Sequence, residues 1–255
     1  MAYYTNSNDK MNVLLLAAGR GERLKPYTDI IPKCMIPIGG VPLLQIWLEK
    51  FVTNKNIKKI FINTHYLAEI VHEFIIKNYN TNSKIELIRE KLLLGTGGTL
   101  VALVPKILEN NLFVAHADNL SFFSLNAFCD CFFNRPEECS LTMMTFFCDD
   151  PSSCGIVKLV DKNIVYNFEE KPQISSSNLA NGAIYLFSRD ALHEINTMNN
   201  AQEISTDILP KFLGRINTWH NFDYHRDIGT PSSYERALKD MGSKKFSHLI
   251  KKVIK

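Results

Sequence analysis

The sequence predicts an α/β protein, a Rossmann-like, mostly parallel mixed sheet flanked by helices in a single domain. Two observations carry this. Apolar runs of strand length at 13–18, 57–62, 85–88 and 112–117 alternate with stretches of helical period at 43–53, 67–78 and 99–108, the pattern of parallel strands joined by crossover helices. After Ser140 the pattern changes to successive strand-like runs at 141–147, 155–160, 164–169 and 183–187, so the second half is expected to add mixed sheet.

The first run is uniformly apolar, as a strand buried on both faces should be. Lys162-Asn163 reads as the turn between two strands of the second half, and helices at 206–213 and 232–241 close the domain. The domain is expected to span 11–241. Residues 1–10 (MAYYTNSNDK) are polar and read as a disordered extension. Residues 242–255 form a basic tail whose apolar spacing suits an amphipathic helix, docked or frayed, with a membrane-surface or partner role as the alternative.

Composition narrows the function classes. With 29 basic and 26 acidic residues, a net charge of +3, the chain is too balanced for a general nucleic-acid binder, so any anion site must come from local clustering. No apolar run reaches the length of a membrane span or has the make-up of a signal peptide, which leads us to expect a cytoplasmic protein without nucleic-acid or membrane partners. Six cysteines (34, 129, 131, 139, 148 and 154) show no CxxC pair, disulfide framework or zinc-site spacing and read as reduced and structural.

The segment after the first strand is the most informative. Ligands of open α/β sheets bind at the carboxyl ends of the strands, where residues 19–37 must lie. Gly19 and Gly21 let backbone N–H groups approach phosphate oxygens, while Pro26, Pro32 and Pro37 stiffen the loop, so that Arg23 and Lys33 can be held over one point. The third glycine of a dinucleotide fingerprint is missing, and so is a GxxxxGK[ST] loop. Solvated loop charges would be the bland reading of one Arg or Lys. They do not account for the whole pattern G-x-G-x-R-L-x-P-x-T-x-x-x-P-K-x-M-x-P-I.

At these residues the sequence resembles the sugar-1-phosphate nucleotidyltransferases, or nucleoside-diphosphate-sugar pyrophosphorylases. The likeness runs from about Met11 to Leu238 and includes LGTGG at 94–98, Ala117-Asp118-Asn119, FEEKP at 168–172, Asn181-Gly182 and RDIGTP at 226–231. It implies the GT-A-like nucleotide-diphospho-sugar transferase fold. It also implies nucleotide contacts at Leu16, Ala18, Gly19, Gly21, Gly95 and Thr96, with Arg23 and Lys33 on the α- and leaving phosphates. Asp118, at a strand end, and Asp227 match the metal-binding aspartates, and Mg²⁺ is the expected ion. Ala117 stands where the family usually has glycine, a methyl that could crowd the ribose. Gly155, Glu170, Lys171 and Asn181 match the sugar-phosphate contacts, whereas His116 reads as structural.

The resemblance is strongest to mannose- and D-glycero-D-manno-heptose-1-phosphate guanylyltransferases, which makes GTP the expected nucleotide and UTP the alternative, and implies a homodimer. Glu90 bears on this choice: a carboxylate only accepts, so it suits guanine's N1–H and 2-amino donors better than uracil. No acetyltransferase or allosteric hexapeptide-repeat domain is expected to accompany the catalytic part. A non-catalytic paralogue would tend to lose Arg23, Lys33, Asp118 or Asp227, all present, and a glycosyltransferase would need a spaced Asp-x-Asp that is not found.

Overall fold

In a computed structural model, which describes residues 10–108 and 110–253, the first apolar run becomes β1 (Met11–Leu16), buried at every position. The chain then makes three short 3-10 turns and a two-stranded ribbon, β2 (Pro37–Ile38) and β3 (Val41–Pro42). There follow α1 (Leu43–Leu48), β4 (Ile57–Thr64), α2 (Ala68–Tyr79), β5 (Ile85–Arg89), α3 (Gly95–Leu103), β6 (Asn111–His116) and β7 (Asn119–Phe122). The second half gives α4 (Leu125–Phe133), β8 (Leu141–Phe147), β9 (Gly155–Val160), β10 (Ile164–Glu170), β11 (Leu179–Phe187) and α5 (Arg189–Ile195). It ends with β12 (Ile216–His220), β13 (Tyr224–Asp227), α6 (Pro231–Gly242) and α7 (Ser247–Val253).

The described residues fall into two compact units. One takes in Val13–Leu93, His116–Phe122 and the chain from Tyr224 onward. Its strands run in the order β5-β4-β1, with β4 and β5 parallel, and a separate antiparallel ribbon joins β7 to β13. Its core gathers Leu24, Ile36, Leu43, Ile46, Leu120, Ile228, Tyr234 and Ile250. Ile250 comes from the basic tail, so α7 places an apolar residue in this core while the structure of residues 1–9 lies outside the described part.

The other unit, with Leu94–Ala115 and Phe123–Asp223, carries the order β6-β11-β8-β12-β10-β9. β12 is parallel to β8, while β11 is antiparallel to β6, β8 and β9, so the mixed sheet expected after Ser140 is present. The β11–β9 pairing joins the far strand back onto the sheet.

Some elements differ from the expectation for local reasons. The helix expected at 99–108 starts at Gly95 and gives way to a 3-10 turn at Val104–Lys106, where Pro105 cannot continue the α-helical ladder. The helix expected at 206–213 is instead a π-helical turn, Ile204–Ile208, running into a 3-10 turn that contains Pro210. The helix expected at 43–53 is regular only to Leu48.

Candidate active site

The loop after β1 has no α-helix, only 3-10 turns at Glu22–Leu24, Tyr27–Asp29 and Lys33–Met35. Gly21 is required there twice over. Its φ is +66°, and a Cβ would lie 2.9 Å from Thr28 Cγ2, while the Thr28 hydroxyl donates to the Gly21 carbonyl at 2.8 Å. At Gly19 nothing among the described residues would meet a Cβ within 4 Å, so its backbone faces open space. Leu24 anchors the turn, fully buried among Ile36, Ile38 and Ile228. Leu16 and Ala18 are buried at the strand end, where the Leu16 carbonyl accepts from Ala117 N–H at 2.9 Å.

The loop brings Lys33 to two carboxylates. Its ammonium donates to Asp118 Oδ2 at 2.7 Å and to Asp227 Oδ1 at 2.9 Å, with the lysine side chain 8% exposed. Arg23 stands further off, Nη2 at 3.9 Å from Asp227 Oδ2, largely in solvent. Burial alone would pull the Lys33 pKa down; the attraction of Asp118 and then Asp227 overturns this and holds the ammonium above its ordinary range. Asp118 shows the converse. Burial works against its charge, but the charges of Lys33 and then His116, with the Lys33 hydrogen bond, keep its carboxyl below the usual range.

The β7–β13 ribbon explains how residues so far apart in sequence meet. Asp118 immediately precedes β7 and Asp227 ends β13, where it sits opposite Asn119. Trp47 Nε1–H donates to the Asn119 carbonyl at 2.9 Å and pins that corner. Beyond Asp227 the chain enters α6 through Thr230, whose hydroxyl caps Ser233 N–H at 3.2 Å, with Pro231 in the first turn; the Ser233 hydroxyl returns to the Asp227 carbonyl. Ala117 is fully buried, so its methyl packs inside the protein and is not presented to a ligand, which corrects the expectation that it could crowd a ribose.

Glu90 lies just past β5 and is buried rather than exposed. Its Oε1 accepts from Asn63 Nδ2 at 2.9 Å, while Asn63 Oδ1 accepts from Ala17 N–H at 2.7 Å. Glu90 therefore orients an amide that supports the first residue after β1. Nothing in the sequence singled out Asn63, which lies just past the 57–62 run and, unlike Lys58 and Lys59 of the same strand, is buried.

The remaining candidates belong to the other unit. Thr96 is tied to the 202–204 segment: its hydroxyl donates to Glu203 Oε2 at 2.6 Å and accepts from Ile204 N–H at 2.9 Å. Gly97 N–H donates to the Gln202 carbonyl at 2.7 Å, so the glycines that begin with Gly95 serve close packing at the start of α3 as well as any ligand. Gly155 is dictated by its neighbour, since a Cβ there would fall 2.4 Å from the Phe168 ring. Glu170 sits opposite Gly155 across β9–β10 and lies 3.5 Å from Lys171 Nζ. Lys171 has a φ of +47° and donates its N–H to the Cys154 carbonyl at 3.0 Å. Asn181 Nδ2 donates to the Tyr185 hydroxyl at 2.7 Å, and its Oδ1 accepts from Ala183 N–H at 2.9 Å. Burial pushes the Tyr185 phenol up, so it stays protonated.

Comparison with known proteins places the whole chain rather than its single residues. A family model described as nucleotidyl transferase matches residues 12–244, across both units. The chain is 25% identical over 236 residues to a mannose-1-phosphate guanylyltransferase of Mycobacterium tuberculosis, covering 91% of this chain and 65% of that protein. It is 28% identical over 230 residues to a D-glycero-alpha-D-manno-heptose 1-phosphate guanylyltransferase of Campylobacter jejuni, covering 89% of this chain and 99% of that one. The crystal structure of HddC from Yersinia pseudotuberculosis superposes with a TM-score of 0.74 at 26% identity, over 90% of this chain and 99% of that one; the same protein has been solved complexed with GMP-PN. The chain spans between 52% and 65% of the length of the first three curated relatives it matches. With the family model covering nearly all of its length, the chain belongs to the nucleotidyl transferase family.

Proposed function

We propose that the chain transfers a nucleotidyl group from a nucleoside triphosphate, GTP by preference, to a mannose- or manno-heptose-type sugar 1-phosphate, giving a nucleoside-diphosphate sugar and pyrophosphate. The observation that carries this reading is the buried Lys33 ammonium held by Asp118 and Asp227, on a loop whose Gly19 backbone is open. Preorganised charge of this kind suits a polyanionic transition state, because it need not reorganise when the charge develops. The guanylyltransferase relatives support the choice of nucleotide and sugar.

In the proposed reaction a sugar-phosphate oxygen forms a bond to the α-phosphorus. The bond from that phosphorus to the oxygen bridging the β-phosphate breaks, and pyrophosphate leaves with the electron pair. Both reactants are phosphates, so direct attack needs no covalent enzyme intermediate. Lys33 and Arg23 hold the α- and leaving phosphates, and the backbone at Gly19 and Gly21 lines them. Leu16, Ala18, Gly95 and Thr96 complete the nucleotide contacts, and Glu90 accepts from guanine. Glu170, Asn181 and the Gly155 backbone receive the sugar, and Lys171 its phosphate.

Asp118 and Asp227 are hard oxygen donors converging on one cationic point, which fits Mg²⁺. Among the described residues no three His, Cys, Asp or Glu side chains gather to hold a metal, so phosphate oxygens would supply the rest of the shell. The ion, when bound, would neutralise charge gathered between the two phosphates.

The same reading makes the enzyme a cytoplasmic homodimer; no described helix is long and apolar enough to cross a membrane. A pyrophosphate-release screen of the four common nucleoside triphosphates against a panel of sugar 1-phosphates tests the proposal. Turnover confined to GTP with a manno-configured sugar supports it; UTP-dependent turnover installs the uridylyltransferase reading, and no turnover with any pair favours a regulatory paralogue.

A further inference from the structure

Two of the six cysteines, distant from any CxxC spacing, meet in space. Cys148 follows β8 and is buried at 6% exposure; Cys154 precedes β9 and is partly exposed. Both belong to one small cluster with Ile156, Ala180 and Phe146, and their thiols are close enough to share a hydrogen bond.

The loop between them is already closed. Asp150 accepts from Ser152 N–H at 3.0 Å and from its hydroxyl at 2.7 Å, the Ser153 hydroxyl donates to the Asp150 carbonyl at 2.8 Å, and Cys154 N–H donates to the Pro151 carbonyl at 3.2 Å. A short segment held this way has little closure entropy left to lose. The two thiols also differ in access. Burial, with Cys154 beside it, pushes the Cys148 thiol up to about 12, so Cys154 is the sulfur placed to react first.

We propose that Cys148 and Cys154 form a reversible dithiol–disulfide pair, oxidised by exchange with a disulfide from solution, which sets the conformation of the 148–155 loop and through it the position of Lys171. The link to Lys171 is its N–H bond to the Cys154 carbonyl, at a residue whose φ of +47° makes it sensitive to its supports. The functional consequence rests on the sugar-phosphate role proposed for Lys171; the chemistry of the pair does not.

The exchange balances without further reactants. The Cys154 thiolate attacks one sulfur of the external disulfide, forming a mixed disulfide and releasing one thiol. Cys148 sulfur then attacks Cys154 Sγ, its proton passing to the second departing thiolate. Two protein thiols become one disulfide, and the external disulfide is reduced to two thiols.

The test uses the full chain and glutathione disulfide as the probe, followed by alkylation and peptide mapping. The wild type should lose two hydrogens in a Cys148–Cys154 cross-link that dithiothreitol reverses, with Cys34 remaining reduced, while Cys148→Ser should stop as a glutathione adduct on Cys154. A persistent adduct in the wild type, a cross-link to another cysteine, or two thiols that stay freely alkylatable would overturn the pair. Hydrogen exchange at the Lys171 amide reads the coupling without turnover: altered protection on oxidation in the wild type but not in Cys148→Ser is expected, and identical protection would overturn the coupling. A failure of the proposed transferase activity would leave both readouts intact. If turnover is present, oxidation should change KM for the sugar 1-phosphate about threefold or more with less effect on kcat.

Discussion

Replacing Lys33 by alanine should separate two roles of one ammonium. The side chain is 8% exposed and donates to two carboxylates at 2.7 and 2.9 Å. At such distances and an effective dielectric near 20 each attraction is about 6 kcal/mol gross, most of it returned as desolvation. Truncation leaves Asp118 and Asp227 facing each other without a cation. Breaking a fully buried pair costs about 3–5 kcal/mol, but Asp227 is 54% exposed and screened by water, so a loss of roughly 2–3 kcal/mol is expected. Urea unfolding at constant m-value measures it, and Lys33→Met, which keeps the volume of the stem, removes the packing contribution from the comparison. The sign with pH follows from the shifts. Asp118, depressed in the fold, gives stability present above the unfolded carboxyl pKa of about 3.9 and lost as pH falls through the folded value. Lys33, raised in the fold, gives stability present below about 10.4 and lost as pH rises through the folded value. The wild-type minus Lys33→Met difference should therefore be flat between these limits and shrink outside both. Turnover should fall by about a hundredfold or more, about 3 kcal/mol, in either variant. Near-normal kcat in a folded variant would refute the catalytic role, and an unchanged urea midpoint would refute the ion-pair accounting.

Arg23→Ala should lower kcat about a hundredfold as well, but with an unchanged urea midpoint, since its guanidinium is 67% exposed and 3.9 Å from Asp227. Asp118→Asn and Asp227→Asn should both raise the Mg²⁺ concentration needed for half-maximal activity, and an unchanged requirement in either leaves that aspartate a purely structural partner of Lys33. Glu90→Gln keeps an oxygen for Asn63, so folding should persist while the GTP-over-UTP ratio of kcat/KM falls about tenfold or more, roughly 1.4 kcal/mol; an unchanged ratio confines Glu90 to orienting Asn63. Gly155→Ala places a methyl 2.4 Å from the Phe168 ring and should destabilise the fold by about 1–3 kcal/mol, read as a lower urea midpoint.

What the sequence made legible and what it hid follow from the range of the interactions. β8 and β9 begin and end where their apolar runs do, because each run is long enough for local pattern to decide. β7 and β13 went unseen. Each has four residues, NLSF and YHRD, too few for a period, and each is a strand only because the other pairs with it from across the chain. The same ribbon places Asp118 beside Asp227, so the resemblance could assign both aspartates to one ion while the strands that bring them together stayed hidden. Lys33 shows the limit most clearly. A lysine in a proline-rich loop is ordinarily exposed, and its burial is tolerated only because two distant carboxylates converge on it. The cysteines follow the same logic: Cys148 and Cys154 show no spacing signature, and they are neighbours because a capped turn folds the chain between two strands back onto itself. Residues that carry charge or redox chemistry in this fold thus owe their identities to local motifs and their reactivity to pairings that no local pattern encodes.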